Sequence, residues 1–200
     1  GVSLGEGEMA RENLLWQVED GLGLLTVNRP GVLNALNLET LDELSEVVAE
    51  VERGAARALL LTGAGERAFV AGADVAAMAA MGPEEVRAFA ERGHALLERL
   101  ERLPVPTIAA VDGFALGGGC ELALACDLVY ASQRARCCLP EVGLGLIPGV
   151  GGTQRLPRRI GAMRALELIL TGEPCDAARA LELGLVLEVL PPEQLLPHAR

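Results

Sequence analysis

The sequence predicts an α/β fold in which parallel strands are joined by helical crossovers. Short Leu/Val-rich runs alternate with amphipathic helical segments along the chain, a pattern that favours a parallel sheet with helices packed across it. Half of the 200 residues are apolar but only 2% are aromatic, so the core must be assembled from Leu, Val and Ala through many small contacts. The length suits one domain spanning residues 1–200, and no internal repeat, linker or low-complexity tract divides it.

The elements follow in order. Residues 13–19 and 22–28 read as strands around Asp20-Gly21, a pair suited to a tight hairpin turn. Asn37 has the character of an N-cap, because Leu38, Leu41, Leu44, Val47, Val48 and Val51 follow at helical spacing until Gly54. Residues 57–62 form an apolar β-rich run. A second helix begins near Pro83, with Glu84 and Glu85 in its first turn, and runs to about Arg102. Residues 107–112 predict a strand, 118–126 a short helix, and 127–131 a strand again. Beyond the glycine-rich PGVGG at 148–152, residues 161–170 are helical, Asp176 caps a helix ended by Gly184, and 185–190 are extended.

Composition excludes several classes of function. The net charge is −11 and every basic residue is arginine, which removes lysine Schiff-base chemistry and the basic face that nucleic acid requires. The cluster Arg155, Arg158, Arg159 and Arg164 is the one local exception, and it reads as a solvated helix face. The most apolar stretch, 106–131, is interrupted by Asp112, Glu121 and Asp127, so it is no membrane span. The start of the chain, GVSLGEGEMARENLL, lacks the basic and apolar regions of a secretory signal and is too acidic for a transit peptide. The expected residence is the cytoplasm, or the mitochondrial matrix where a presequence has been removed. Five cysteines and two isolated histidines fall in no zinc-binding spacing, so no metal is expected; Cys137 and Cys138 read as small buried side chains rather than a redox pair. No GxGxxG follows a strand for a dinucleotide, and Ser3, Ser45 and Ser132 stand in no GxSxG context.

Three segments place glycines or carboxylates where packing does not ask for them: AFVAGADV at 68–75, DGFALGGGCELALACD at 112–127, and LPEVGLGLIPGVGGTQRLP at 139–157. Three consecutive glycines precede the helix at 118, leaving the N–H groups of Gly118 and Gly119 bare at a positive helix end, where a developing oxyanion could be held. Glu121 lies one turn further on among apolar neighbours. It is either a partner of the helix dipole or an acid whose pKa is moved by desolvation. Glu141 follows Pro140 into an apolar loop with no evident cationic partner; alone, such a residue is a solvated loop carboxylate.

Together the three segments, the frame LTG…A…GLV at 170–186 and RPGVLNALN at 29–37 resemble the enoyl-CoA hydratase/isomerase, or crotonase, family from residue 29 to about Val189. The resemblance implies a superhelix of repeated strand-strand-helix turns. It implies two oxyanion N–H donors at Ala73 and Gly118, and a catalytic pair at Glu121 and Glu141. Ala71, Asp74 and Arg29 become the residues expected to contact the coenzyme part of the substrate, because Val32 and Ala76 stand where many relatives carry a basic side chain. The activity implied is reversible hydration of an enoyl-CoA thioester, with isomerisation or hydration of a methylglutaconyl-type substrate, coupled to RNA binding through Arg155–Arg164, as the alternative. No cofactor is expected, since coenzyme A is part of the acyl-CoA thioester substrate; no membrane or nucleic-acid partner is expected either. Relatives form a homotrimer or a dimer of trimers and continue about 60 residues further as a helical segment, so this chain is expected to lack most of that segment and to be a truncated product.

Overall fold

The structure is a computed structural model that describes residues 11–200. Most of the acidic chain start, read above as neither signal nor transit peptide, lies outside the described residues. β1 (Leu14–Glu19) and β2 (Leu22–Val27) form the expected antiparallel hairpin, with Asp20 and Gly21 at φ 53° and 84°. Positive φ at both central residues gives a turn whose twist matches the strands it joins. After a 3-10 turn at Pro30–Val32, α1 (Leu38–Glu52) is capped by Asn37, whose Oδ1 accepts from the Thr40 N–H at 2.9 Å. It buries Leu41, Leu44, Val47, Val48 and Val51, the stripe that the helical spacing marks out.

Three strand-strand-helix turns then succeed one another. β3 (Ala58–Gly63) and β4 (Ala68–Val70) lead to α2 (Val75–Ala79) and α3 (Pro83–Glu101). β5 (Thr107–Val111) and β6 (Phe114–Leu116) lead to α4 (Gly118–Leu124). β7 (Leu128–Ser132) and β8 (Arg136–Cys138) lead through a 3-10 turn at Pro140–Leu144 to α5 (Gly152–Ile160) and α6 (Ala162–Thr171). β9 (Cys175–Asp176), α7 (Ala177–Leu183), β10 (Glu188–Leu190) and α8 (Pro192–Ala199) follow.

The first strand of each turn joins a six-stranded sheet, β1-β2-β3-β5-β7-β10, and the second joins a four-stranded sheet, β4-β6-β8-β9. Neighbours run parallel except β1/β2 and β8/β9. This is the repeated strand-strand-helix superhelix implied by the motifs. The main core fills the space between the two sheets and the helices, with Leu44, Leu59, Leu61, Phe69 and Leu122 among its most buried side chains. A second, smaller core of Leu60, Ala110, Leu190, Leu195 and Ala199 lies on the other face of the large sheet, beneath α8.

Several elements differ from expectation. β4, β6 and β8 are three residues long, too short to show a period of two, and none stands out from the sequence as a strand. The strand expected at 127–131 begins at Leu128, because the Asp127 carboxylate turns away to accept from Thr107 N–H and Oγ1 at 2.8 and 2.9 Å. The extended stretch at 185–190 narrows to β10, although Leu187 still donates to the Val129 carbonyl at 2.7 Å. The arginine cluster is also not one solvated face. Arg158 and Arg164 are exposed, whereas Arg159 donates to the Leu124 and Cys126 carbonyls that end α4. Arg155 has a side chain only 10% exposed.

Candidate active site

Each turn of the superhelix delivers one part of the site just beyond a strand of the smaller sheet. After β4 the chain passes Leu36, whose N–H donates to Gly72 O and whose carbonyl accepts from Asp74 N–H, both at 2.8 Å. This parallel bridge uses the residues on either side of Ala73 and turns the Ala73 N–H the other way. Among the described residues that N–H has no acceptor.

After β6 come the three glycines, each required for a different reason. Gly117 adopts φ 48°, ψ −120°, closed to residues with a Cβ, and its N–H is tied to Cys138 O at 2.8 Å. Gly119 packs so tightly that a Cβ would lie 2.0 Å from Val70 O. Gly118 is different: a Cβ there would meet nothing closer than Leu36 Cδ1 at 3.5 Å. Its N–H opens α4 without an acceptor among the described residues. Packing therefore explains Gly117 and Gly119, and leaves Gly118 to be explained by what approaches it.

Ala73 and Gly118 line one apolar cavity. Leu36, Leu41 and Leu44 form one side of it, Phe89, Gly93, Leu96 and Leu97 of α3 another, and Leu122 and Val150 the remainder.

Glu121 is 1% exposed. Its carboxylate does not serve the dipole of its own helix, as the alternative reading allowed. Oε1 accepts from the N–H groups of Val150 at 2.9 Å and Gly152 at 2.7 Å, at the start of α5, and Oε2 has no partner among the described residues. Burial raises its pKa, opposed by the Gly152 and Val150 N–H groups and by Arg155. Glu141, in the 3-10 turn after β8, is half-buried rather than solvated. Its Oε2 is buried with no hydrogen-bond partner among the described residues, and its Oε1 lies 2.8 Å from where a Gly117 Cβ would sit. Desolvation pushes its pKa up to about 6, and the charge of Glu121 adds to that rise. Two carboxyl groups with raised pKa values thus flank the glycine turn that presents the Gly118 N–H. One oxygen of Glu121 is pinned, and its other is free to take a proton.

The residues expected at the coenzyme are already engaged with one another. Arg29 donates to Ala35 O and pairs with Asp74 at 3.4 Å, while Asp74 caps α2 through Ala77 N–H at 3.2 Å. Ala71 donates to Leu33 O at 3.0 Å. This network braces the Ala73 turn, and it leaves Arg29 partly committed before any phosphate arrives. All five cysteines are free and buried; burial pushes Cys137 up to about 12 and Cys138 up to about 11, far from reactive thiolates. Among the described residues no three His, Cys, Asp or Glu side chains gather as metal ligands. Sequence reasoning missed Val150 and Gly152 as the groups that hold Glu121. The PGVGG run was the available signal, since glycines let the backbone approach a carboxylate closely.

Residues 17–200 match the family model for enoyl-CoA hydratase/isomerase. The chain is 48% identical to the short-chain-enoyl-CoA hydratase of Clostridium acetobutylicum and 46% identical to the crotonyl-CoA hydratase of Syntrophomonas wolfei, each alignment covering 96% of this chain and 74% of the relative. An enoyl-CoA hydratase crystal structure from Bacillus anthracis superposes with a TM-score of 0.92 at 43% identity, covering 94% of this chain and 74% of the other. With the motifs, the strand-strand-helix superhelix and these matches in agreement, the chain belongs to the enoyl-CoA hydratase/isomerase family.

Proposed function

We propose that the protein is an enoyl-CoA hydratase, adding water reversibly across the 2,3 double bond of an enoyl-CoA thioester. The observation that carries this reading is the pair of desolvated carboxyl groups, Glu121 and Glu141, flanking the glycine turn next to an apolar cavity lined in part by Ala73 and Gly118, whose N–H groups have no acceptor among the described residues. Hydration needs both halves: a base to take a proton from water and an acid to deliver one to carbon.

In the proposed reaction the thioester oxygen accepts from Ala73 and Gly118 N–H, which draws electron density from the β-carbon and stabilises the enolate oxygen as it forms. The free oxygen of Glu121 takes a proton from water as the water oxygen bonds to the β-carbon. Glu141, whose raised pKa lets it carry a proton near neutrality, protonates the α-carbon. The reverse reaction exchanges the two roles. The apolar walls suit a short acyl chain, in keeping with the names of the two relatives. Coenzyme A enters as part of the substrate, and no step above requires a cofactor.

Assembly as a homotrimer, or a pair of trimers, belongs to the same proposal. It is supported by an apolar surface: Met163, Leu166 and Leu170 lie on one face of α6 and are 85%, 57% and 62% exposed. Patches of this kind are commonly covered by a second subunit. Among the described residues no helix is long and apolar enough to cross a membrane; residence in the cytoplasm or the mitochondrial matrix is proposed with the function.

The test is the ultraviolet absorbance of crotonyl-CoA on mixing with the protein, because hydration removes the conjugated enone. Loss of the signal supports hydration. No loss, together with a gain of conjugation from a 3-enoyl-CoA, would establish isomerisation instead.

A further inference from the structure

α3 carries a glycine where a helix interior least favours one. Gly93 lies near the middle of the helix and is buried, although glycine is disfavoured there relative to alanine. A Cβ at this position would lie 2.4 Å from Val150 Cγ1 and 3.5 Å from Val150 Cβ. Among the described residues no other atom outside the helix comes within 4 Å of it. The glycine therefore exists for one neighbour, and that neighbour is the residue whose N–H holds Glu121 Oε1 at 2.9 Å.

The same loop is gripped a second time from the same helix. The Val150 carbonyl accepts from Arg155 Nη1 at 2.9 Å, and Arg155 pairs with Glu101, the last residue of α3, at 3.1 Å. α3 thus seats the 148–152 loop at Gly93 through a side chain and at Glu101 through an ion pair. Both contacts converge on Val150. We propose that Gly93 is a positioning residue for Glu121: its missing side chain lets Val150 seat against α3, and that seat sets where the Val150 N–H holds the carboxylate. This rests on Glu121 acting as the base in the reading above.

Ordinary carbon contacts lie at about 3.5–4.0 Å, so a methyl at 93 displaces Val150 Cγ1 by about 1 Å or forces it out of its rotamer. A shift of that size at a catalytic group costs up to about a hundredfold in rate. Gly93→Ala should therefore lower kcat on crotonyl-CoA at least about tenfold. It should also raise the apparent pKa of Glu121, because the Val150 N–H stabilises the ionised form. In Gly93→Ala/Val150→Ala the clashing Cγ1 is gone and the 3.5 Å Cβ contact is ordinary, so most of the lost turnover and the original titration should return. Val150→Ala alone closes the double-mutant cycle.

The Glu121 titration is followed by carboxyl carbon NMR, with Glu121→Gln assigning the signal. It needs no substrate, so it separates failure of the positioning role from failure of the hydratase reading. The proposal is overturned if Gly93→Ala keeps wild-type turnover and titration, or if the double variant recovers neither. Should Gly93→Ala not fold, the double variant decides alone: folded with a wild-type titration it supports the proposal, and unfolded or shifted it overturns it.

Discussion

Replacing Gly118 by alanine separates chemistry from folding at the helix start. The added methyl meets nothing closer than Leu36 Cδ1 at 3.5 Å, and the residue opens a helix at ordinary φ, so the fold bears no steric cost. Removing a glycine at a compatible position restricts the unfolded chain and stabilises by about 0.4–1 kcal/mol. Gly118 lines the cavity, so in the proposed reaction the same methyl crowds the approach of the thioester oxygen to the N–H. Losing one such donor costs about 2.7–4 kcal/mol, a factor of about 10²–10³ in kcat. Gly118→Ala should therefore be as stable as wild type or slightly more so in urea, while crotonyl-CoA turnover collapses. Gly119→Ala is the control with the opposite signature: a Cβ 2.0 Å from Val70 O should cost at least about 1–3 kcal/mol of stability. Wild-type turnover in a folded Gly118→Ala protein would refute the oxyanion role, and equal destabilisation of the two variants would refute the steric distinction.

Glu121→Gln keeps an oxygen to accept from Val150 and Gly152, so it should fold normally and lose at least about a hundredfold in kcat; Glu141→Gln should lose as much, both read by steady-state kinetics. Glu141 also sets a pH dependence of stability. Its folded pKa of about 6 exceeds the ordinary 4.5, so above pH 6 the fold carries an ionised, desolvated carboxylate, and between 6 and 4.5 the folded state takes up a proton before the unfolded one. Glu141→Gln should be more stable than wild type at pH 7, with the gap closing as pH falls to 4.5, as urea titrations at several pH values will report. In the hydration direction kcat/KM should fall as pH rises through about 6, where free Glu141 loses the proton it must donate. Leu166→Glu on the exposed face of α6 should shift the sedimentation of the protein toward the monomer if that face is buried between subunits; an unchanged boundary would remove α6 from the interface.

The long elements were legible because burial imposes a period on them. The 38–51 stripe gave α1 and its Asn37 cap, and Asp176 with Gly184 bounded α7, since capping chemistry is local. β4, β6 and β8 were not legible as strands, because three residues carry no periodicity and their partners lie tens of residues away. Glu121, Glu141, Ala73 and Gly118 could be named from motifs, and the structure gathers them around the glycine turn. What holds Glu121 was signalled only by the glycines of 148–152. Its partners Val150 and Gly152 donate through backbone N–H, which leaves no side-chain signature, and the Gly93 contact depends on two segments meeting only in the folded chain. The engagement of Arg29 was hidden for the same reason: its partners Asp74 and Ala35 meet it only in the folded chain.

The smaller sheet also acts as a ruler. The segments that carry Ala73, Gly118 and Glu141 leave the ends of β4, β6 and β8, which are consecutive neighbours in that sheet, so the points from which they depart are set at the hydrogen-bonded strand spacing of about 4.8 Å. Backbone hydrogen bonds, not side chains, hold that interval. Residues lining the cavity on α1 and α3 can therefore change its shape while the spacing of the strands that lead to Ala73, Gly118 and Glu141 stays the same. An insertion or a slip in β4, β6 or β8 would alter that spacing. Substrate range and reaction geometry are in this way written into different parts of the chain, and one can drift without disturbing the other.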